Sequence, residues 1–124
     1  MPSFGPKSRR HLETIHTDLE DVLNEAIKHI DFSIIDGHRD MERQNHYFNE
    51  GVSKVRWPNS KHNAFPSNAV DIIPYPGGFD NPNSAFDRMA TYVLSAAAEL
   101  GVPLEWGGHW KSFPDYAHFE LKEG

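Results

Sequence analysis

Cysteine is absent from the 124 residues, which excludes a disulfide framework, a thiolate nucleophile and any Cys-based metal site. Positive charge is scarce too: 12 Lys and Arg against 18 Asp and Glu leave a formal net charge of −6. That balance disfavours a general nucleic-acid binder and adhesion to anionic membranes, because both draw on cationic side chains. No apolar run is long enough to span a bilayer, so no stable membrane insertion is expected. The opening Met1-Pro2-Ser3-Phe4-Gly5-Pro6 lacks the basic-then-apolar pattern of a signal peptide, and synthesis in the cytoplasm is the expectation. Repeats, low-complexity tracts and Pro/Gly/Ser linkers are missing as well, so residues 1–124 read as one domain. What is present is a globular composition, 38% hydrophobic and 12% aromatic. It also holds 8 histidines, many for so short a chain.

After Ser8, read as an N-cap, residues Leu12, Ile15, Leu19, Val22, Leu23, Ala26, Ile27 and Ile30 recur at three- and four-residue steps, one helical stripe. Phe32-Ser33-Ile34-Ile35 reads as a short buried strand ending at Asp36-Gly37. A second helix is expected from Asp40, as cap, to Asn49-Glu50, with Gly51 as the left-handed stop. Residues 52–68 carry Pro58 and Pro66 without a clean period, a long ordered loop of the kind that usually holds function. Residues 69–73 read as a strand. A third helix starts near Ser84 and is closed by Gly101. Leu104-Glu105-Trp106 and residues 117–121 read as two final strands joined by a Gly/Trp/Pro loop. The order predicts an α+β domain, with a small, mostly antiparallel sheet covered by about three helices.

Two segments concentrate unusual polar chemistry beside strands: residues 60–71 and residues 115–120. Asp71 sits among Ala69, Val70, Ile72 and Ile73, where a carboxylate is costly unless it is paired, hydrogen-bonded or bound to a metal. His118 sits in an equally apolar strand beside Phe119 and Leu121. Taken singly, each is as well explained by a satisfied core residue or a cap. Together, His62, Asp71 and His118 offer two imidazoles and a carboxylate, and leaving the fourth tetrahedral position to water is the catalytic zinc pattern. Asp115, three residues before His118, could accept a proton from that water. In a straight strand the two side chains would point to opposite faces, so the chain must bend near Pro114. The plain alternative for Asp115 is a turn residue after proline. Glu120 shares a strand face with His118 and is a candidate to orient its imidazole; an exposed edge glutamate is the alternative. Arg39 could bind a substrate carboxylate or a developing oxyanion, against a surface ion pair with Asp40 or Glu42. Gln44 could hydrogen-bond substrate or backbone. Trp110 suits a pocket wall, while Trp106 is expected in the core. His11, His16, His29, His38 and His46 lack partner spacing and read as ordinary, mostly solvated side chains.

The ordered set Gly37-His38-Arg39 with Gln44 and Gly51, Ser60-x-His62 leading to Ala69-Val70-Asp71, Trp106-Gly107-Gly108-x-Trp110 and Asp115-x-x-His118-Phe119-Glu120 resembles the D-Ala-D-Ala carboxypeptidase/VanY-like zinc peptidases. Within that group it is most similar to the phage endolysin L-alanyl-D-glutamate peptidases. The resemblance runs from about Ser8 to the end. It implies one Zn2+ per chain held by His62, Asp71 and His118, with Asp115 as catalytic acid/base. It also implies Arg39 as a substrate-binding and transition-state-stabilising residue, and Ser60 as a residue ordering the site, in the substrate-binding set with Gln44 and Trp110. The implied fold is the small one shared with Hedgehog-type domains, and the implied activity is hydrolysis of a peptide bond in the peptidoglycan stem. A separate holin-like, membrane-permeabilising partner, a monomeric state and action at the bacterial wall after release belong to the same expectation. One departure stands out: the family usually has a glycine and a shorter gap between the first His and the Asp, where this chain has Ala64-Phe65-Pro66-Ser67-Asn68. The ligands lie at the ends of that segment, so the change bears on substrate preference.

Three other readings compete. A non-catalytic zinc-binding or structural module of the same fold would have no need of Asp115. A 2-His-1-carboxylate iron oxygenase usually needs a larger β-rich fold and tighter spacing. A His-Asn-His nuclease, prompted by His62-Asn63, conflicts with the acidic balance. The zinc peptidase reading is preferred, with the bond cleaved left open between endopeptidase and D,D-carboxypeptidase.

Overall fold

The computed structural model describes residues 2–112 and 114–122. Two helices open the chain, α1 (Pro6–Leu12) and α2 (Thr17–Ala26), followed by β1 (Phe32–Asp36), α3 (Met41–Asn49) and β2 (Ala69–Pro74). Then come α4 (Asn83–Leu100), β3 (Leu104–Trp106) and β4 (His118–Leu121). Short 3-10 turns occupy Lys61–Asn63, Gly78–Asp80 and Gly107–His109. The strands form one antiparallel sheet in the order β1-β2-β4-β3. The fold is α+β, as the element order implies, with four helices among the described residues rather than three.

The extra helix comes from a break in the first apolar stripe. At Thr14–His16 the backbone leaves the helix and pairs with Ser67: Ser67 N donates to Thr14 O at 2.8 Å and His16 N to Ser67 O at 2.8 Å. The stripe continues across the break because both helices face the same core, so periodicity alone does not reveal the interruption. Ser8 is not the N-cap. It lies inside α1, buried, and its Oγ accepts from Ile34 N at 3.0 Å, fastening α1 to β1. The other end signals behave as their chemistry requires. Asp40 caps α3 by accepting from Arg43 N at 2.8 Å, and Gly51 (φ 77) and Gly101 (φ 71) take the left-handed conformation at helix ends.

Pairing divides the sheet into two faces, since directly opposed residues project to the same side. Val70, Phe119 and Trp106 are successive partners across β2, β4 and β3, and Ile34 pairs with Ile72. These residues join Leu19, Val22, Leu23, Met89, Ala90 and Val93 from α2 and α4 in the core. The opposite face is polar: Asp71 is paired with His118, Ala69 with Glu120, and Glu120 with Glu105.

Candidate metal centre

β2 lies inside the sheet and is buried almost throughout, so Asp71 reaches its position as part of a strand with no solvated side. Its cross-strand partner His118 leaves the same face. The third residue, His62, arrives from the 3-10 turn Lys61–Asn63. Ser60 caps that turn: its Oγ accepts from His62 N at 3.2 Å, while Asn63 Oδ1 accepts from Ser60 N at 3.0 Å. The long loop is thereby folded back to bring a buried imidazole against Asp71.

The three prospective donor atoms form a small triangle. His62 Nε2 lies 3.3 Å from Asp71 Oδ1, His118 Nδ1 lies 3.1 Å from the same oxygen, and the two nitrogens are 3.3 Å apart. A tetrahedral zinc with bonds of about 2.0–2.1 Å has donor-to-donor edges of about 3.3–3.4 Å, so the triangle has the size of one face of such a site. Each residue is also held from its far side. His62 Nδ1–H donates to the Gly37 carbonyl at 2.7 Å, His118 Nε2–H donates to Glu120 Oε1 at 2.8 Å, and Arg39 Nη2 donates to Asp71 Oδ2 at 3.0 Å. These outer bonds select the ring nitrogen and the carboxylate oxygen that face the common centre. Glu120 is in turn braced by Lys61, whose Nζ lies 3.2 Å from Oε2 and donates to Leu121 O at 2.8 Å.

The electrostatics are those of a cation site. Burial alone would raise the Asp71 carboxyl, but hydrogen bonds from His118 and His62 and their charge hold it far below the usual carboxylate range. Burial opposes charge on His118 as well; hydrogen bonds to Asp71 and Glu120 win and lift it from 6.5 to about 9. Glu120, raised by burial, is pulled below its ordinary value by His118 and Lys61. Without a metal ion, then, a proton on His118 supplies the positive charge that two carboxylates demand.

Asp115 stands just before β4. His118 N donates to the Asp115 carbonyl at 3.3 Å, so the chain turns here, as Pro114 suggests, and Asp115 N donates to Gly107 O at 2.9 Å. The side chain is exposed, and its carboxyl does not join the three-residue cluster. Partial desolvation, reinforced by the charge of Asp71, pushes its pKa up, against the opposing pull of His118 and the Ala117 N–H. Gly107 allows this approach, because a Cβ there would meet Asp115 O at 2.5 Å and His118 Cβ at 3.2 Å.

The remaining candidates divide. Arg39 is not paired with Asp40 or Glu42; its Nε donates to Asp36 Oδ2 at 2.5 Å, its Nη2 to Asp71, and its guanidinium lies over the Tyr47 ring at 4.8 Å. Gln44 has no exposed surface, and of its two expected partners, substrate or backbone, it takes the backbone, together with neighbouring side chains. Its Nε2 donates to Ser53 Oγ and Val55 O, both at 2.8 Å, and its Oε1 accepts from Asn63 Nδ2 at 3.2 Å. Trp110 is half-buried with its ring 5.1 Å from that of His118, and its indole N–H donates to Glu105. Trp106 is buried against Phe119, as a core residue should be. Phe113 lies outside the described residues.

Sequence reasoning gave no role in the site to Asp36, Gly37 or Lys61. The signal for Asp36 was present: like Asp71, it is a carboxylate in an otherwise apolar strand. Lys61 gave no signal, since its link to Glu120 spans two distant segments.

The fold is of the D-Ala-D-Ala peptidase-like class, and the polar face of its sheet carries the His–Asp–His group. A solved structure similar to this chain is the Serratia marcescens L-Ala D-Glu endopeptidase ChiX, with 33% sequence identity and a TM-score of 0.83, covering 96% of this chain and 89% of that one. The model of the phage L-alanyl-D-glutamate peptidase family matches residues 2–123, and the chain belongs to that family. Comparison with curated protein sequences gives no match.

Proposed function

We propose that this chain is a zinc-dependent peptidase that hydrolyses the L-alanyl-D-glutamate bond of peptidoglycan stem peptides. Family membership and the likeness to an L-Ala D-Glu endopeptidase support the substrate and the endopeptidase choice over a D,D-carboxypeptidase. The observation that carries the metal is the triangle of His62 Nε2, Asp71 Oδ1 and His118 Nδ1, each oriented by a separate outer partner. Two imidazoles and one carboxylate, with no thiolate, are a donor set that suits zinc, one ion per chain. Bound there, the ion would polarise the scissile carbonyl and activate water.

The chain's own groups supply the rest. The raised pKa of Asp115, and the charges of Asp71, His118 and His62 that act on it, support a role as the group that would take a proton from water and return it to the leaving amine. A non-catalytic module has no use for a carboxyl so placed. Arg39 retains N–H groups beyond those on Asp36 and Asp71, one Nη1 contact to Gln44 being as long as 3.4 Å. Those donors support a contact with a substrate carboxylate or carbonyl oxygen. Trp110 supports a wall beside His118. Among the described residues no helix is long and apolar enough to cross a membrane. The reading extends to a monomeric single domain that meets the wall once a separate holin-like partner has opened the membrane.

The test is mass analysis of digested sacculi with the zinc-loaded protein. New N-terminal D-glutamate with loss of L-alanyl linkage is expected, and it should vanish in His118→Ala together with stoichiometric zinc. Release of terminal D-alanine instead would transfer the chain to carboxypeptidase chemistry, and full activity in a zinc-free variant would overturn the metal assignment.

A further inference from the structure

Asp36 is a buried carboxylate that the proposed chemistry does not use. It reaches its place through a β-bulge: Ile34 pairs with Ile72 but Asp36 pairs with Asp71, so Ile35 is the extra residue in β1. The bulge sets two carboxylates directly opposite one another, an arrangement that repels unless a cation is shared. Arg39 is that cation. Its Nε donates to Asp36 Oδ2 and its Nη2 to Asp71 Oδ2, while Arg43 Nη2 donates to the other Asp36 oxygen at 3.0 Å.

The two N–H groups that Arg39 divides between these carboxylates, Nε and Nη2, are an edge that commonly grips both oxygens of a single carboxylate. A bidentate grip on Asp71 would engage Oδ1, the oxygen that faces His62 and His118. Holding Nε on Asp36 leaves Asp71 only one N–H, on Oδ2.

We propose that Asp36 is a positioning residue that keeps Arg39 from chelating Asp71, and so reserves Asp71 Oδ1 for the metal. This rests on the zinc-site reading of His62, Asp71 and His118. The adjoining Gly37 carbonyl holds His62, so the exit of β1 supports two of the three ligands, one directly and one through Arg39.

The test is a double-mutant cycle on the full chain with Asp36→Asn, Arg39→Gln and the double variant. It reads zinc affinity by chelator competition and the visible absorption spectrum of the cobalt-substituted protein. Asp36→Asn alone should weaken zinc binding by about 10–100-fold and shift the cobalt bands, the usual scale for losing an outer partner of a ligand. In the Arg39→Gln background the same substitution should change zinc affinity less than threefold, because the guanidinium that reaches Asp71 is gone. Unchanged affinity and spectrum in Asp36→Asn would overturn the proposal, as would an equal loss in both backgrounds. If Asp36→Asn alone does not fold, comparing Arg39→Gln with the double variant, in which no Arg39 guanidinium stands beside Asp71, still decides: a further loss of tenfold or more refutes it. Failure of the wild-type protein to bind zinc would instead sink the site reading, and this inference with it.

Discussion

Metal binding at this site should be strongly pH-dependent because the ion must displace a proton from His118. In the metal-free protein that imidazole lies between Asp71 Oδ1 at 3.1 Å and Glu120 Oε1 at 2.8 Å, and its pKa stands at about 9. Its Nδ1 can act as a ligand only when deprotonated. Below about pH 9, each unit of acidification should therefore lower the apparent zinc affinity about tenfold, or about 1.4 kcal/mol. Between pH 8 and pH 6 the loss is about 100-fold. Chelator competition across that range measures the slope, and calorimetry in buffers of different ionisation enthalpy counts the released protons, with about one expected. The same proton stabilises the empty fold. A pKa raised from 6.5 to about 9 contributes at most about 3 kcal/mol, fully present below pH 6.5 and lost as pH rises toward 9. The metal-free protein should thus melt at lower temperature at pH 9 than at pH 6.5, while the zinc form should not follow it. A zinc affinity that does not vary from pH 6 to 8, with no proton released, would refute the assigned charge state of His118.

Asp115→Asn should retain stoichiometric zinc and lose about 10²–10⁴-fold in turnover, the range for removal of a general acid/base; retained turnover removes that role. Glu120→Gln should weaken zinc binding by about 10–100-fold in chelator competition, since the Nε2–H of His118 loses a charged acceptor. Gly107→Ala should reduce turnover more than zinc affinity, because the added methyl meets the Asp115 carbonyl at 2.5 Å; a variant with wild-type kinetics would show that this approach is unimportant.

The zinc-ligand candidates were visible in sequence for a simple reason. A carboxylate in Ala69-Val70-Asp71-Ile72-Ile73 and an imidazole beside Phe119 contradict the burial that their neighbours demand, and such a contradiction needs a partner. Helix ends were visible through Asp40, Gly51 and Gly101, whose preferences are local. The break between α1 and α2 was not, because apolar spacing is continuous across it and the cause is a distant residue, Ser67. The internal partners of Arg39 and Gln44 were hidden for the same reason. Arg39 has acidic neighbours at Asp40 and Glu42, yet it turns to Asp36 and to Asp71 on another strand.

Local chemistry and periodicity, read along the chain, determined the class of fold, most element boundaries and the three residues that gather at the centre. Glu120 apart, whose place two residues from His118 on one strand is local, tertiary structure decided which atom of each residue faces inward and who holds it from behind. Those outer partners, Gly37 for His62, Lys61 behind Glu120, and Arg39 with Asp36 for Asp71, depend on strand register, on a one-residue bulge and on a loop folded back against the sheet. Register and loop closure are set by packing between segments far apart in sequence, and such packing leaves no periodic mark on either segment.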